Sequence, residues 1–232
     1  MNELKLALLG KGKTGQYVLE LLDKKNVTIF DSKNLPTIES LKGHNAIISF
    51  LPGDVFIEYI PMLKASKIPV ITGSTGFEWP KNLNSSLRDL GVKWIFSNNF
   101  ALGMNLVRIL IEKLASAENL FQDVDYKIIE THHINKKDKP SGTAKSWDKW
   151  LSSNLKEKKV KSIESIRKDD VVGIHTLELD TKFEKITLTH EAKDRSIFAE
   201  GALWAVKKVL TDKDIPYGLN SFSDITLKEI LK

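Results

Sequence analysis

Lys5-Leu6-Ala7-Leu8-Leu9-Gly10-Lys11-Gly12-Lys13-Thr14-Gly15 decides the fold of this chain. Residues 5–9 are apolar apart from the lysine and stop at a glycine. That suits a short parallel strand, which needs no polar alternation because both its faces are covered. The glycines that follow have the spacing G-x-G-x-x-G. The first permits a tight turn, the second lets the backbone approach a pyrophosphate, and the third lets the next helix pack on the strand. Val18, Leu19 and Leu22 then recur at helical spacing. The start of that helix presents unpaired N–H groups and a partial positive charge to a phosphate. A glycine-rich surface turn would have the same composition, but the context favours a dinucleotide. A strand precedes, a helix follows, and a second strand at 27–31 ends in Asp31, about 20 residues past the glycines. A carboxylate there accepts hydrogen bonds from the adenosine ribose hydroxyls and disfavours a 2′-phosphate, so NADH is expected over NADPH. Lys33 can neutralise a 2′-phosphate, which keeps NADPH open.

Outward from this stretch the alternation continues. Residues 45–50, 68–73 and 93–98 read as strands, and 55–66 reads as a helix interrupted by Pro61. Leu83, Leu87 and Leu90 mark another helix. Strand and helix alternate about five times in the first hundred residues, the signature of an α/β, Rossmann-type, doubly wound parallel sheet. The pattern then changes. Residues 105–118 form an amphipathic helix, 125–133 alternate like a strand, and 143–155 are helical with Trp147, Trp150 and Leu151 on one face. The period-2 segments 171–180 and 184–192 suit antiparallel pairing with one solvated face. A helix at 198–210 and a Pro216-Tyr217-Gly218 turn lead to the tail. The expected domains are therefore 1–103 with 201–232, and a smaller α+β domain at 104–200 with a mostly antiparallel sheet.

Composition narrows the function. The 232 residues are 41% hydrophobic and 28% charged, ordinary for a globular protein, and 13 glycines and 7 prolines exclude a collagen-like chain. The net charge of +5 suits anionic small molecules. No basic helix or aromatic platform supports nucleic acid. With no cysteine, disulfides, thiolate metal sites and cysteine nucleophiles are excluded. The first residues show no basic n-region or cleavage site, and no apolar run approaches the ~20 residues that span a membrane. A cytoplasmic protein is expected. The lysine-rich run 156–161 reads as a solvated helix end or loop.

Two further strand ends fall at the carboxyl edge of the sheet, where ligands bind in such folds. These are Gly73-Ser74-Thr75-Gly76-Phe77 and Ser97-Asn98-Asn99-Phe100. Their small polar residues suit a nicotinamide ribose and carboxamide, and equally suit plain turns. The richest stretch runs from Glu130 to Ala144, with His132, His133, Lys136, Asp138, Pro140, Ser141, Gly142 and Thr143. Ser141 or Thr143 can cap a helix whose first N–H groups bind a carboxylate. Lys136 adds a positive charge, and His132 or His133 can move a proton near neutrality. Adjacent histidines on a strand point to opposite faces, so this pair is not expected to chelate a metal. The set suits a small dicarboxylate and a proton-transfer step.

The segment His132-His133-x-x-Lys136-x-Asp138-x-Pro140-Ser141-Gly142-Thr143-Ala144 resembles the signature of the 4-hydroxy-tetrahydrodipicolinate (dihydrodipicolinate) reductase family. In the same order along the chain, residues 10–15 resemble the family's N-terminal fingerprint. Residues 73–77 resemble its G-[TS]-T-G-F loop, and Asn99, Phe100 and Gly103 its N-F-x-x-G segment. Arg167, Gly173 and His175 resemble the R…G-x-H stretch, and residues 190–202 the late H-x-A-x-x-R-x-x-F-A-x-G-A segment. The resemblance implies a lysine-route oxidoreductase. Its nicotinamide cofactor reduces a conjugated imine formed, with loss of water, from (2S,4S)-4-hydroxy-2,3,4,5-tetrahydrodipicolinate, giving (S)-2,3,4,5-tetrahydrodipicolinate. It implies His132 as proton donor or acceptor and Lys136 as assisting donor. Substrate carboxylates would be held by His133, Gly142 and Thr143 with Ser141 and Lys136. The cofactor would be held by Gly10, Lys11, Gly12, Lys13, Thr14, Gly15, Asp31, Gly73, Ser74, Thr75, Ser97, Asn98, Asn99 and Phe100. It further implies that the second domain binds substrate and builds a homotetramer through its antiparallel sheet. The chain departs from the family pattern at Thr14, at Lys139 and in a short 31–44 region, which bears on the adenosine-side contacts. Two other readings are a different amino-acid or imino-acid dehydrogenase on the same plan and a non-enzymatic nucleotide sensor. Intact His132, Lys136, Gly142 and Thr143 weigh against both.

Overall fold

The structure, a computed structural model, describes residues 4–121, 123–156 and 160–232. The chain divides into two compact units, Met1–Leu102 with Arg195–Lys232, and Gly103–Asp194.

The first unit opens with β1 (Leu6–Leu9), α1 (Lys13–Glu20), β2 (Val27–Phe30), α2 (Ile38–Leu41) and β3 (Ala46–Ser49). It continues with α3 (Gly53–Ser66), β4 (Val70–Thr72), α4 (Leu83–Asp89) and β5 (Lys93–Phe96). All four residues of β1 and of β3 are buried, as the unbroken apolar runs require of central parallel strands. Pro61 does not interrupt α3, which runs straight through it. An interior proline costs about 3 kcal/mol. Burial of Phe56, Ile60 and Leu63 along the sheet side offsets that cost.

The second unit contains α5 (Leu102–Ser116), β6 (Asp125–His132), α6 (Gly142–Ser152), β7 (Val160–Arg167), β8 (Gly173–Asp180) and β9 (Lys185–Ala192). These strands form a sheet in the order β7-β6-β8-β9. β6–β8 and β8–β9 are antiparallel, as the alternating patterns indicate. β7 was not expected from the sequence. It pairs parallel to β6, with α6 as the crossover between them. It takes in Val160 and Lys161, so the end of the 156–161 run lies in a strand and not in the expected helix end or loop, and beyond them serine and glutamate mix with isoleucine without a clear period. Of the 156–161 run, residues 157–159 lie outside the described residues. One face of the sheet buries Tyr126, Ile128, Leu177 and Leu179, and α6 contributes the buried Trp147 and Leu151. The indole Nε1 donates to Met104 Sδ of α5 at 3.2 Å.

The chain then returns to the first unit with α7 (Ser196–Thr211), β10 (Gly218–Ser221) and α8 (Phe222–Ile230). β10 completes a six-stranded parallel sheet of order β10-β5-β4-β3-β1-β2. The sequence showed only the turn before it. Hydrogen bonds from Gly218 N–H to Val92 O (2.8 Å) and from Leu219 N–H to Asn84 Oδ1 (2.9 Å) recruit this weakly apolar segment to the edge. On one face Leu6, Leu8, Ile48, Ile71 and Ile95 pack with Val18, Ala202, Val206 and Phe222. On the other, Ala7, Leu9, Ile47, Val70 and Trp94 pack with Leu41, Phe56, Leu63, Leu83 and Leu87. The α/β doubly wound sheet and a second, mixed sheet are thus both present.

Candidate active site

The glycine turn sits where β1 gives way to α1. Gly10 has φ +91°, a left-handed conformation that favours glycine, and its N–H donates to Phe30 O at 2.9 Å. A Cβ on Gly15 would lie 2.3 Å from Gly10 O, so α1 can close on the strand only with glycine there. Gly12 is the N-cap, no side chain caps the helix, and its first turn holds no acid. Lys11, Gly12 and Lys13 are exposed, Thr14 is half-buried, and a Cβ on Gly12 would meet nothing within 4 Å. An uncapped, electropositive helix start with open space before it fits a pyrophosphate.

Asp31 follows β2 at the same sheet edge, next to the turn through the Gly10–Phe30 bond. Its Oδ1 accepts from Lys33 N–H (2.9 Å) and Asn34 N–H (3.1 Å). This tight turn opens the short 31–44 connection, and of the two carboxylate oxygens it uses Oδ1. After β4, Gly73 packs on Phe50, where a Cβ would approach a ring carbon to 2.5 Å. Ser74 is buried with its hydroxyl 3.4 Å from Ser49 Oγ, while Thr75 is exposed. After β5, Ser97 Oγ donates to Asn99 O (2.6 Å), and Asn99 Oδ1 accepts from Ala101 N–H (2.9 Å). Those two side chains knot the loop, and Asn98 is exposed. The Phe100 ring lies in the core against Phe50 and Phe222, so this residue can meet a ligand only through its backbone.

In the second unit the period of β6 places Glu130 and His132 on the buried face, and His133, half-buried, follows on the other. Register brings His175 of β8 opposite Glu130 and Arg167 of β7 opposite His132. Glu130 is fully buried. Its Oε2 is in direct contact with His132 Nδ1, and its Oε1 accepts from Arg167 Nη2 (3.0 Å) and Ser141 N–H (3.3 Å). Burial pushes the carboxyl upward, yet hydrogen bonds from Ser165 and Arg167 and the positive charge around it hold it below the ordinary glutamate value. His132 is held below its ordinary value by burial, opposed by Glu130 and reinforced by Lys136 and Arg167. It is therefore neutral near pH 7. The carboxylate beside Nδ1 favours the tautomer with its proton there and its lone pair on Nε2. His175 is pushed down to about 4 by burial and by His132. Its Nε2 lies 3.1 Å from Ser141 Oγ, and its ring meets His132 edge-on at 5.0 Å.

Ser141 is the N-cap of α6, accepting from Ala144 N–H at 3.1 Å. Its hydroxyl is committed to the helix and to His175, so it builds the helix start. Gly142 is exposed and Thr143 half-buried in the first turn, and a Cβ on Gly142 would meet nothing within 4 Å. Lys136 pairs with Asp138 (2.8 Å), which its hydrogen bond holds below the usual carboxylate range. Glu130, His132 and His175 also bring possible metal-ligand atoms within 4.8 Å of one another. Oε1 of Glu130 is taken by Arg167 and Ser141, and the guanidinium beside the carboxylate disfavours a metal cation in the same place. Sequence reasoning singled out His132 and Lys136 but not the partnership of Glu130, Arg167 and His175. The period-2 offset of Glu130 from His132 was the available signal.

The family model for dihydrodipicolinate reductase, C-terminus, matches residues 103–224. The chain is 31% identical over 206 residues to a 4-hydroxy-tetrahydrodipicolinate reductase of Methanoregula boonei, covering 83% of this chain and 80% of that protein. A protein of the same name from Methanospirillum hungatei is 29% identical, covering 86% and 84%. Among solved structures, the dipicolinate-bound dihydrodipicolinate reductase of Paenisporosarcina sp. TG-14 shares the fold. It has a TM-score of 0.75 at 20% identity over 96% of this chain and 99% of that one. With a matching C-terminal model and relatives aligned along most of both chains, this chain belongs to the dihydrodipicolinate reductase family.

Proposed function

We propose that this chain reduces the conjugated imine derived by loss of water from (2S,4S)-4-hydroxy-2,3,4,5-tetrahydrodipicolinate to (S)-2,3,4,5-tetrahydrodipicolinate, in the diaminopimelate route to lysine. A nicotinamide cofactor supplies the hydride when bound. The residues around the glycine turn suit its pyrophosphate, and Asp31 favours NADH through the ribose hydroxyls. On this reading the first unit binds the dinucleotide and the second binds substrate.

The observation that carries the reading is the contact of the buried Glu130 carboxylate with His132 Nδ1, close to a lysine and an open helix start. Reduction of the imine places negative charge on the substrate, which a nearby acid must quench. The Lys136 ammonium is the proton donor. That donation leaves Lys136 as an amine, and His132, neutral and with its lone pair on Nε2, takes a proton from solvent there and returns it to the amine for the next turnover. The N–H groups at Gly142 and Thr143, with His133, hold the substrate carboxylates. Lys136 adds charge to the same task.

The outer face of the four-stranded sheet is the proposed tetramer interface. Ile129, Thr131, Ile174 and Thr176 there are only half-buried within one chain. The cytoplasm, where such metabolites and cofactors meet, is the proposed location. No helix among the described residues is long and apolar enough to cross a membrane.

A coupled assay tests the reading. Pyruvate and aspartate semialdehyde are condensed by the preceding synthase, and this protein is added with NADH or NADPH. Absorbance of the reduced cofactor must fall only when the condensed product is present, and faster with NADH. No fall from protein that binds NADH would refute the activity.

A further inference from the structure

We propose that Arg167 is the positioning residue that locks His132 and Lys136 into one arrangement, by binding the carboxylate behind the histidine and the backbone of the loop that carries the lysine. The inference rests on the proton chemistry assigned above to those two residues.

The Arg167 side chain is 9% exposed, and its guanidinium makes bonds in several directions. Nη2 donates to Glu130 Oε1 at 3.0 Å and to Asp138 O at 2.5 Å. Nε donates to Lys136 O at 3.1 Å, and Nη1 to Ile166 O at 2.7 Å. One rigid group thus touches Glu130 of β6, which contacts His132, and also two carbonyls that flank the Lys136–Asp138 ion pair. The loop 133–139 is also held by Lys136 N–H to His133 O (3.1 Å), by Ile134 N–H to Asp169 O (3.2 Å), and by the Asp138 carboxylate, which accepts from Gly142 N–H. The carbonyls of Lys136 and Asp138 point at the guanidinium, so the course of the loop depends on it.

The fork geometry matters as much as the charge. Arginine presents five N–H donors in a plane, whereas lysine offers a compact ammonium that cannot span Glu130 and both carbonyls. A charge alone would satisfy Glu130. Only a guanidinium also fixes the loop. Misplacing a reacting group by about 1 Å can cost on the order of 10²-fold in rate, so a residue that touches no substrate can still govern turnover.

The test uses Arg167→Lys, Arg167→Ala and His132→Gln in the full chain, each checked for folding by circular dichroism and for NADH binding by fluorescence. Arg167→Lys is expected to fold, to bind NADH as the parent does, and to lose roughly 10- to 100-fold in kcat with a smaller change in KM for the imine. Guanidinium ion at tens of millimolar is expected to restore several-fold activity to Arg167→Ala, measured against equal sodium chloride, and to leave His132→Gln unrestored. Parental kcat in Arg167→Lys, or no restoration of Arg167→Ala by guanidinium, overturns the proposal. If His132→Gln is inactive in that case, only the role of Arg167 falls. If His132→Gln is itself fully active, the underlying assignment falls with it.

Discussion

Gly173 of β8 lies against the Nε2 edge of His132: a Cβ there would stand 3.1 Å from the histidine Nε2 and 3.3 Å from Cδ2. The other ring nitrogen rests on Glu130, so the imidazole is held between a carboxylate on one side and a bare stretch of backbone on the other. The backbone of Gly173 is not in the left-handed region. The missing side chain therefore makes room for the ring and does not relieve the chain.

Gly173→Ala should fold normally and lose activity. A Cβ at that distance requires the ring to shift by a few tenths of an ångström, away from the Nε2 position that the proton needs. A kcat decrease of roughly 10-fold with little change in melting temperature is expected. Steady-state kinetics beside thermal unfolding checks this, and unchanged kcat would show that Nε2 has no fixed target.

The buried histidines make stability dependent on pH. His175 is depressed to about 4 from 6.5, so the unfolded chain binds a proton that the folded one refuses between those values. Its contribution is complete above pH 6.5 and is lost as pH falls toward 4, by roughly 3 kcal/mol. Glu130, also depressed, adds a loss in the carboxylate range as pH falls toward its folded value. Denaturant unfolding at pH 7 and pH 4.5 should show the decline, and His175→Gln should make it shallower.

Much of this arrangement could be read from residue order alone. Residues 5–15 carry their own explanation: an all-apolar strand, then glycines whose spacing leaves room for backbone and phosphate. Residues 125–132 and 173–192 show period 2 because one face is solvated. β7 and β10 escaped because their pairing is supplied from elsewhere, by a parallel crossover through α6 and by Asn84 and Val92. The helix through Pro61 survives because tertiary burial outweighs a local penalty. In the site, residue type and spacing marked the 130–144 stretch and offered Ser141 or Thr143 as the cap, of which the structure has Ser141, while the choice of His132 over His133 came from the family resemblance. The Glu130–Arg167 pair was not, because it joins residues 37 apart through a strand the sequence did not announce.

Asp31→Asn should shift cofactor choice while sparing the turn. The amide oxygen still accepts from Lys33 and Asn34, but the charge that repels a 2′-phosphate is gone. The ratio of kcat/KM for NADPH over NADH should rise roughly 10-fold, about 1.4 kcal/mol. An unchanged ratio would assign ribose reading to another residue.

Lys136→Ala should damage turnover and substrate binding together, because in the proposed mechanism the ammonium both supplies a proton and attracts a carboxylate. Kinetics with the imine varied at saturating NADH checks this. A lowered kcat with an unchanged KM would remove the carboxylate role and leave only the proton.

The most direct measurement is the turnover of His132→Gln beside its affinity for NADH, on the same folded preparation. The glutamine side chain fills similar space but cannot accept and return a proton as an imidazole does. If His132 moves the proton, kcat falls by roughly 10²-fold or more with NADH affinity unchanged. Turnover near that of the parent enzyme would contradict this, and the proton chemistry would then have to be placed elsewhere.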